Sequence, residues 1–249
     1  MSMNLPAARA LLRRTLLTLA ACSCLLALVA RAQEQLPEDP EDEKQIGLWL
    51  DQGLSAGLWT DKSLEIEFHE RFDENISQLY EYFVQAGLAF RPRPWLMILP
   101  SYRYQRFPPS ATAYENRLLL NLTVARPQGT WRPNLRTLIE GRFPDNRAAS
   151  ARLRFRPGVD YVLPFRTPRP FVLVLNNEFF LVPWGNPYAN GGTYTQNRAQ
   201  VGVRLPLTSS LTLRPYFMVQ SVHLPTEWES NNIIGLSLTC KLTRTPKTK

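Results

Sequence analysis

From Ile46 onward, polar and apolar side chains alternate in segments of about ten to fourteen residues, divided by clusters of Pro, Gly, Asn, Asp and Ser. A period of two sends successive side chains to opposite faces of a strand. In residues 151–161, Arg152, Arg154, Arg156, Gly158 and Asp160 share one face, and Leu153, Phe155, Val159 and Tyr161 share the other. Residues 194–205 set Gln196, Arg198, Gln200 and Arg204 against Ala199, Val201, Val203 and Leu205. Residues 63–72 set Glu65, Glu67, His69 and Arg71 against Leu64, Ile66, Phe68 and Phe72, with Glu70 breaking the apolar face near the strand end. Candidate strands fall at 46–59, 63–73, 77–90, 95–106, 113–126, 134–143, 150–163, 171–183, 194–205, 211–222 and 230–242. Single-chain bacterial barrels have even strand numbers. The expectation is therefore twelve strands if 46–59 breaks near Gly53, or ten if one candidate lies outside the barrel.

Alternation alone fits a soluble sheet or a membrane barrel, and three features favour the barrel. Strands that span a bilayer need about 9–11 residues, whereas soluble strands usually have about 5–6. Aromatic residues stand near strand ends, where rings suit the membrane–water interface: Trp49, Trp59, Phe90, Trp95, Phe107, Phe143, Tyr161, Trp184 and Tyr194. The polar face mixes Glu with Arg, as a narrow lumen lined by ion pairs requires. The expected fold is all-β, an antiparallel up-and-down transmembrane β-barrel of 10–12 strands over residues 46–242. A soluble periplasmic β-protein that binds a ligand is the alternative.

The segments outside the strands point to export. Arg9, Arg13 and Arg14 precede an apolar run from Leu16 to Ala30, followed by the small-x-small triplet Ala30-Arg31-Ala32. This is the layout of a secretory signal peptide, residues 1–32, cleaved after Ala32. Leu19-Ala20-Ala21-Cys22 allows a second reading, lipidation at Cys22, although the apolar run continues past it. Residues 33–45 are acidic and read as a solvated linker; residues 243–249 are a basic tail. Removing residues 1–32 takes four arginines and lowers the formal charge from +8 to +4. Nucleic acid is therefore not an expected partner. Cys240 alone remains of three cysteines, so no internal disulfide can form in the mature chain. It sits with Ile234, Leu236, Leu238 and Leu242 and reads as a small apolar residue.

The ordered motifs on the polar face resemble a known family. They are Trp49, Tyr102-Arg103-Tyr104, Glu115-Asn116-Arg117, Glu140-Gly141-Arg142, Arg152-Leu153-Arg154-Phe155-Arg156, Glu178, and Asn197-Arg198 with Gly202. Together they resemble the bacterial family catalogued as domain of unknown function 2490, a set of outer-membrane barrels. The resemblance runs from Trp49 to about Leu242 and implies a barrel without assigning an activity. The chain departs from outer-membrane barrels in general at its end. The last candidate strand is followed by basic residues instead of a terminal aromatic.

The candidate functional feature is a charge network in the lumen: Glu65, Glu67, His69, Arg71, Arg103, Glu115, Arg117, Arg136, Glu140, Arg142, Arg152, Arg154, Arg156, Glu178, Arg198 and Arg204. Its Arg excess reads as an anion-preferring pore or pocket; the competing reading is a lumen filled by stabilising ion pairs. A lipid hydrolase would need a nucleophilic Ser tied to a His, and no motif ties one to His69 or to His223, which reads as a loop residue. One Cys and two distant His give no zinc spacing. The expectation is an outer-membrane barrel with a structural or narrow-channel role, without metal or cofactor. Its partners are outer-membrane lipid and the barrel-assembly machinery, and the sequence identifies no small-molecule ligand. A barrel enzyme acting on lipid is the alternative.

Overall fold

The computed structural model describes residues 46–108, 114–165, 167–185, 193–224 and 227–242. The signal peptide, the acidic linker and the basic tail lie outside the described residues. Among the described residues there is no helix. Eleven strands follow in order: β1 (Ile46–Gly57), β2 (Lys62–Asp73), β3 (Gln78–Arg93), β4 (Leu96–Arg106), β5 (Tyr114–Ala125), β6 (Trp131–Pro144), β7 (Ser150–Val162), β8 (Val172–Trp184), β9 (Tyr194–Pro206), β10 (Leu211–His223) and β11 (Trp228–Leu242). They have 11 to 16 residues, enough to cross a bilayer when tilted.

Each strand pairs antiparallel with the next, and β1 closes the barrel on β11. The even count is overturned. Residues 46–57 form one unbroken strand, and all eleven candidates lie in the wall. An odd meander leaves its first and last strands pointing the same way, so the closing pair is parallel, running from Ile46↔Asn232 to Ala56↔Leu242. The barrel is thus antiparallel everywhere except at this seam. The same parity puts Ile46 on one rim, the first rim, and Leu242 on the opposite, second rim.

Two further expectations need correction. Residues 127–133 are not all loop: β6 begins at Trp131, and Pro133 sits in the ladder opposite Val159. Its carbonyl accepts from the Arg126 N–H at 3.0 Å, a bond for which proline needs no N–H of its own. His223 closes β10 instead of lying in a loop, with its ring 5.0 Å from that of Trp228.

The sense of the alternation separates the membrane barrel from the soluble one. Leu118, Ile139, Val201, Phe217 and Ile234 are exposed on the outer face, while Gln105, Glu115 and Glu140 are buried on the inner face. Apolar outside and polar inside is the arrangement of a barrel in lipid. Exposed Trp59, Trp95, Trp131 and Phe165 girdle the second rim; Trp184, Trp228, Tyr114 and Phe143 girdle the first. Trp49 is the exception among the aromatics assigned to the interface. It shares a face with Asp51, points into the lumen, and is 5% exposed.

Candidate functional site: the charged lumen

All sixteen residues of the expected network lie at lumen-facing positions, because strand parity is fixed residue by residue. The structure divides them between two zones.

The half of the lumen toward the first rim is filled. Cross-strand register sets acids beside arginines either directly opposite, as in Arg71↔Glu81 and Glu140↔Arg152, or one step diagonal, both within side-chain reach. Glu115 accepts from Arg117 Nε at 2.5 Å and Arg142 Nε at 2.7 Å. Glu140 accepts from Arg152 Nε at 2.6 Å and Arg154 Nη1 at 2.8 Å. Arg154 also grips Glu178, with Nη2 2.8 Å from each carboxylate oxygen. Arg71 donates to Glu81 at 2.6 Å. Glu115 and Glu140 are 0% exposed, so each carboxylate needs its two guanidinium partners to offset the loss of hydration.

Aromatic rings complete this layer. Arg71 lies 3.9 Å from the Trp49 ring centre, and Arg103 lies 3.8 Å from that of Phe83. Arg198 stacks between Trp49 and Phe180, at 4.6 and 4.7 Å. Arg198 is the register partner of Glu178. Glu178 is occupied by Arg154, so Arg198 donates to Gln220 instead, at 2.8 Å. Trp49, Tyr216, Met218 and Ile233 pack together against the β1–β11 seam. The result is a septum of ion pairs and rings across the lumen.

Toward the second rim the lumen opens into a cavity of about 330 Å³. Arg136, Arg156, Arg204 and Arg214 line it together with the carboxylates of Asp51, Glu67 and Glu178, and Asn176, Gln200, Thr212, Ser237 and Thr239 are among its neutral polar walls. Arg204 pairs with Asp160 at 2.9 Å. Among the described residues, Arg136, Arg156 and Arg214 carry no ion pair, and Arg136 Nε is buried without a hydrogen-bond partner. Glu65 lies apart from this cavity. It accepts from Ser55 at 2.9 Å and Ser63 at 2.5 Å, and pairs with Arg91 at 3.5 Å.

His69 stands between the zones. Nδ1 is 2.5 Å from Asp51 Oδ1, Nε2 is 3.2 Å from Glu67 Oε2, and the ring stacks on Phe83 with centroids 4.1 Å apart. Both ring nitrogens therefore face carboxylates. Among the described residues, no group of three or more His, Cys, Asp or Glu side chains is placed to hold a metal ion. Cys240 is a free thiol on the outer face.

The expected network omits Asp51, Glu81, Arg214 and Tyr216, and also Asp160, although alternation sets Asp160 on the polar face. Asp160 and Arg214 were within reach of sequence reasoning, since both keep the polar-face parity of β7 and β10. Asp51 and Tyr216 are linked across 165 residues, and no local pattern connects them.

A closed barrel with an apolar exterior, two aromatic girdles and an arginine-rich lumen is a transmembrane β-barrel protein. Residues 46–231 match the family described as "Protein of unknown function (DUF2490)", and the chain belongs to that family. Among curated proteins, none matches the sequence. Among solved structures, the NanC porin is similar, with a TM-score of 0.50 and 10% identity over 76% of this chain and 95% of that one. The siderophore receptor PirA of Pseudomonas aeruginosa also matches, with a TM-score of 0.31 and 13% identity over 71% of this chain and 35% of that one. At such identities the porin likeness is one of fold.

Proposed function

We propose that this protein is exported, cleaved after Ala32 and inserted by the barrel-assembly machinery into the bacterial outer membrane. There it acts as a narrow, normally closed channel that favours anions. The single observation that carries this reading is the division of the lumen. A filling of ion pairs alone would match arginines with acids, yet eight arginines line the cavity of about 330 Å³ against three carboxylates, Asp51, Glu67 and Glu178, and among the described residues Arg136, Arg156 and Arg214 form no ion pair. An excess of guanidinium groups in a low-dielectric wall attracts anions and repels cations. The septum supports a closed resting state, because Glu115, Glu140 and Phe180 are each 0% exposed.

The reading is non-enzymatic. Its ground is that both His69 ring nitrogens face carboxylates, whereas a hydrolase base contacts its nucleophile. The test is planar-bilayer recording of the full chain under a salt gradient, alongside Trp49→Ala, which thins the septum. The expected result is rare opening of the native protein, frequent opening of the variant, and a reversal potential on the chloride side. Cation preference, or silence of both folded proteins, overturns the channel.

A further inference from the structure

The arginine rows of the lumen differ in what lies between them. Arg117 and Arg142 are directly opposed on β5 and β6, and both donate to Glu115. Arg152 and Arg154 share Glu140, and Arg154 also holds Glu178. Arg136 and Arg156 are likewise directly opposed, on β6 and β7, but among the described residues neither carries an ion pair, since Glu178, which the β7–β8 register sets across from Arg156, is held by Arg154. Like charges opposite one another destabilise a sheet. Here the cost is increased by burial, since Arg136 Nε is buried and bonds to no group among the described residues. Arg214, on β10, adds a third guanidinium to the same cavity.

We propose that Arg136, Arg156 and Arg214 form a binding site for the oxyanion head, carboxylate or phosphate, of a small polar solute. In the Arg117–Arg142 and Arg152–Arg154 rows a protein carboxylate bridges the guanidinium groups; here a ligand oxyanion takes that position. Guanidinium forks match such heads bidentately. The neutral wall of Gln200, Thr212, Ser237 and Thr239 offers both donors and acceptors, which suits a polar body behind the head. A cavity of about 330 Å³ lies at the small end of ligand pockets, so the solute is a small metabolite and not an oligomer. The site deepens the anion-channel reading, but it needs only the cavity and not conduction.

The experiment is calorimetric titration of the full chain, folded in detergent, with inorganic phosphate, with succinate, and with glucose as the neutral comparison. Both anions are expected to bind and glucose is not; the tighter anion identifies the head group. Arg156→Gln is expected to weaken anion binding about fivefold or more. It should also leave the ligand-free barrel at least as heat-resistant as the native one, because the opposed pair is gone. Should Arg156→Gln fail to fold, as judged by heat-modifiable gel mobility, Arg136→Lys takes its place. It keeps the charge, loses the fork, and should weaken binding likewise. Anions that bind no better than glucose, or a folded variant that loses less than fivefold, overturn the site. Binding without conduction rejects the channel and keeps the site; anion-selective conduction without binding does the reverse.

Discussion

The Tyr216 hydroxyl donates to Asp51 Oδ2 at 2.9 Å, joining β10 to β1 across the intervening β11. Gly235 of β11 makes the crossing possible, because a Cβ there would fall within the Tyr216 ring. Asp51 continues the link to His69 of β2 at 2.5 Å. The clasp therefore spans the parallel seam, where backbone pairing is slightly weaker than in the antiparallel ladders.

Removing the clasp should weaken barrel closure. Tyr216→Phe deletes one hydrogen bond to a charged acceptor, a loss of about 1.5–3 kcal/mol. Gly235→Ala keeps that hydroxyl but drives its ring aside, at about 1–3 kcal/mol. Urea unfolding in detergent, followed by gel mobility, should show both variants unfolding at lower urea than the native protein. Native-like midpoints would show that the seam does not depend on the clasp.

Glu140 is the keystone of the septum. Glu140→Gln leaves Arg152 and Arg154 beside a neutral amide in a buried layer, a change of the kind that costs about 3–5 kcal/mol. The expected outcome is a large loss of heat-resistant mobility, or failure to insert. Arg204→Gln serves as the comparison: its side chain is 35% exposed, and it should change stability by less than about 1 kcal/mol.

The β2–β3 turn places Glu74, Asn75 and Ile76 at φ of 50°, 54° and 73°. Asn tolerates this region, but a β-branched residue is strained in it. Ile76→Gly should stabilise the barrel by about 1 kcal/mol, seen as a higher unfolding midpoint. Ile76→Val, equally branched, should give no gain.

The odd strand count puts the two ends of the barrel on opposite membrane faces. Epitope tags placed before Ile46 and after Leu242 should differ in their access to protease added to intact cells, with one cut and the other protected. Equal protection of both would require an even number of crossings and would falsify the eleven-strand closure.

How much was legible in the sequence varies by residue. The eleven strands lie within three residues of where alternation places them, and Arg152, Arg154 and Arg156 share one face as their spacing requires. Trp49 was legible as a lumen residue from its parity with Asp51, but aromatic position near a strand end argued the other way. Arg156 and Arg154 look alike in sequence. The β7–β8 register sets Glu178 across from Arg156, and only the packed side chains decide that Glu178 and Glu140 both pair with Arg154.

The sequence by itself determined the strand spans and which side chains face lipid or lumen, because period two is a property of each strand alone. The tertiary structure decided the closure, the seam and the charge pairing. These depend on register between strands, and at the seam on residues as distant in sequence as Asp51 and Tyr216, whose proximity exists only once the barrel closes.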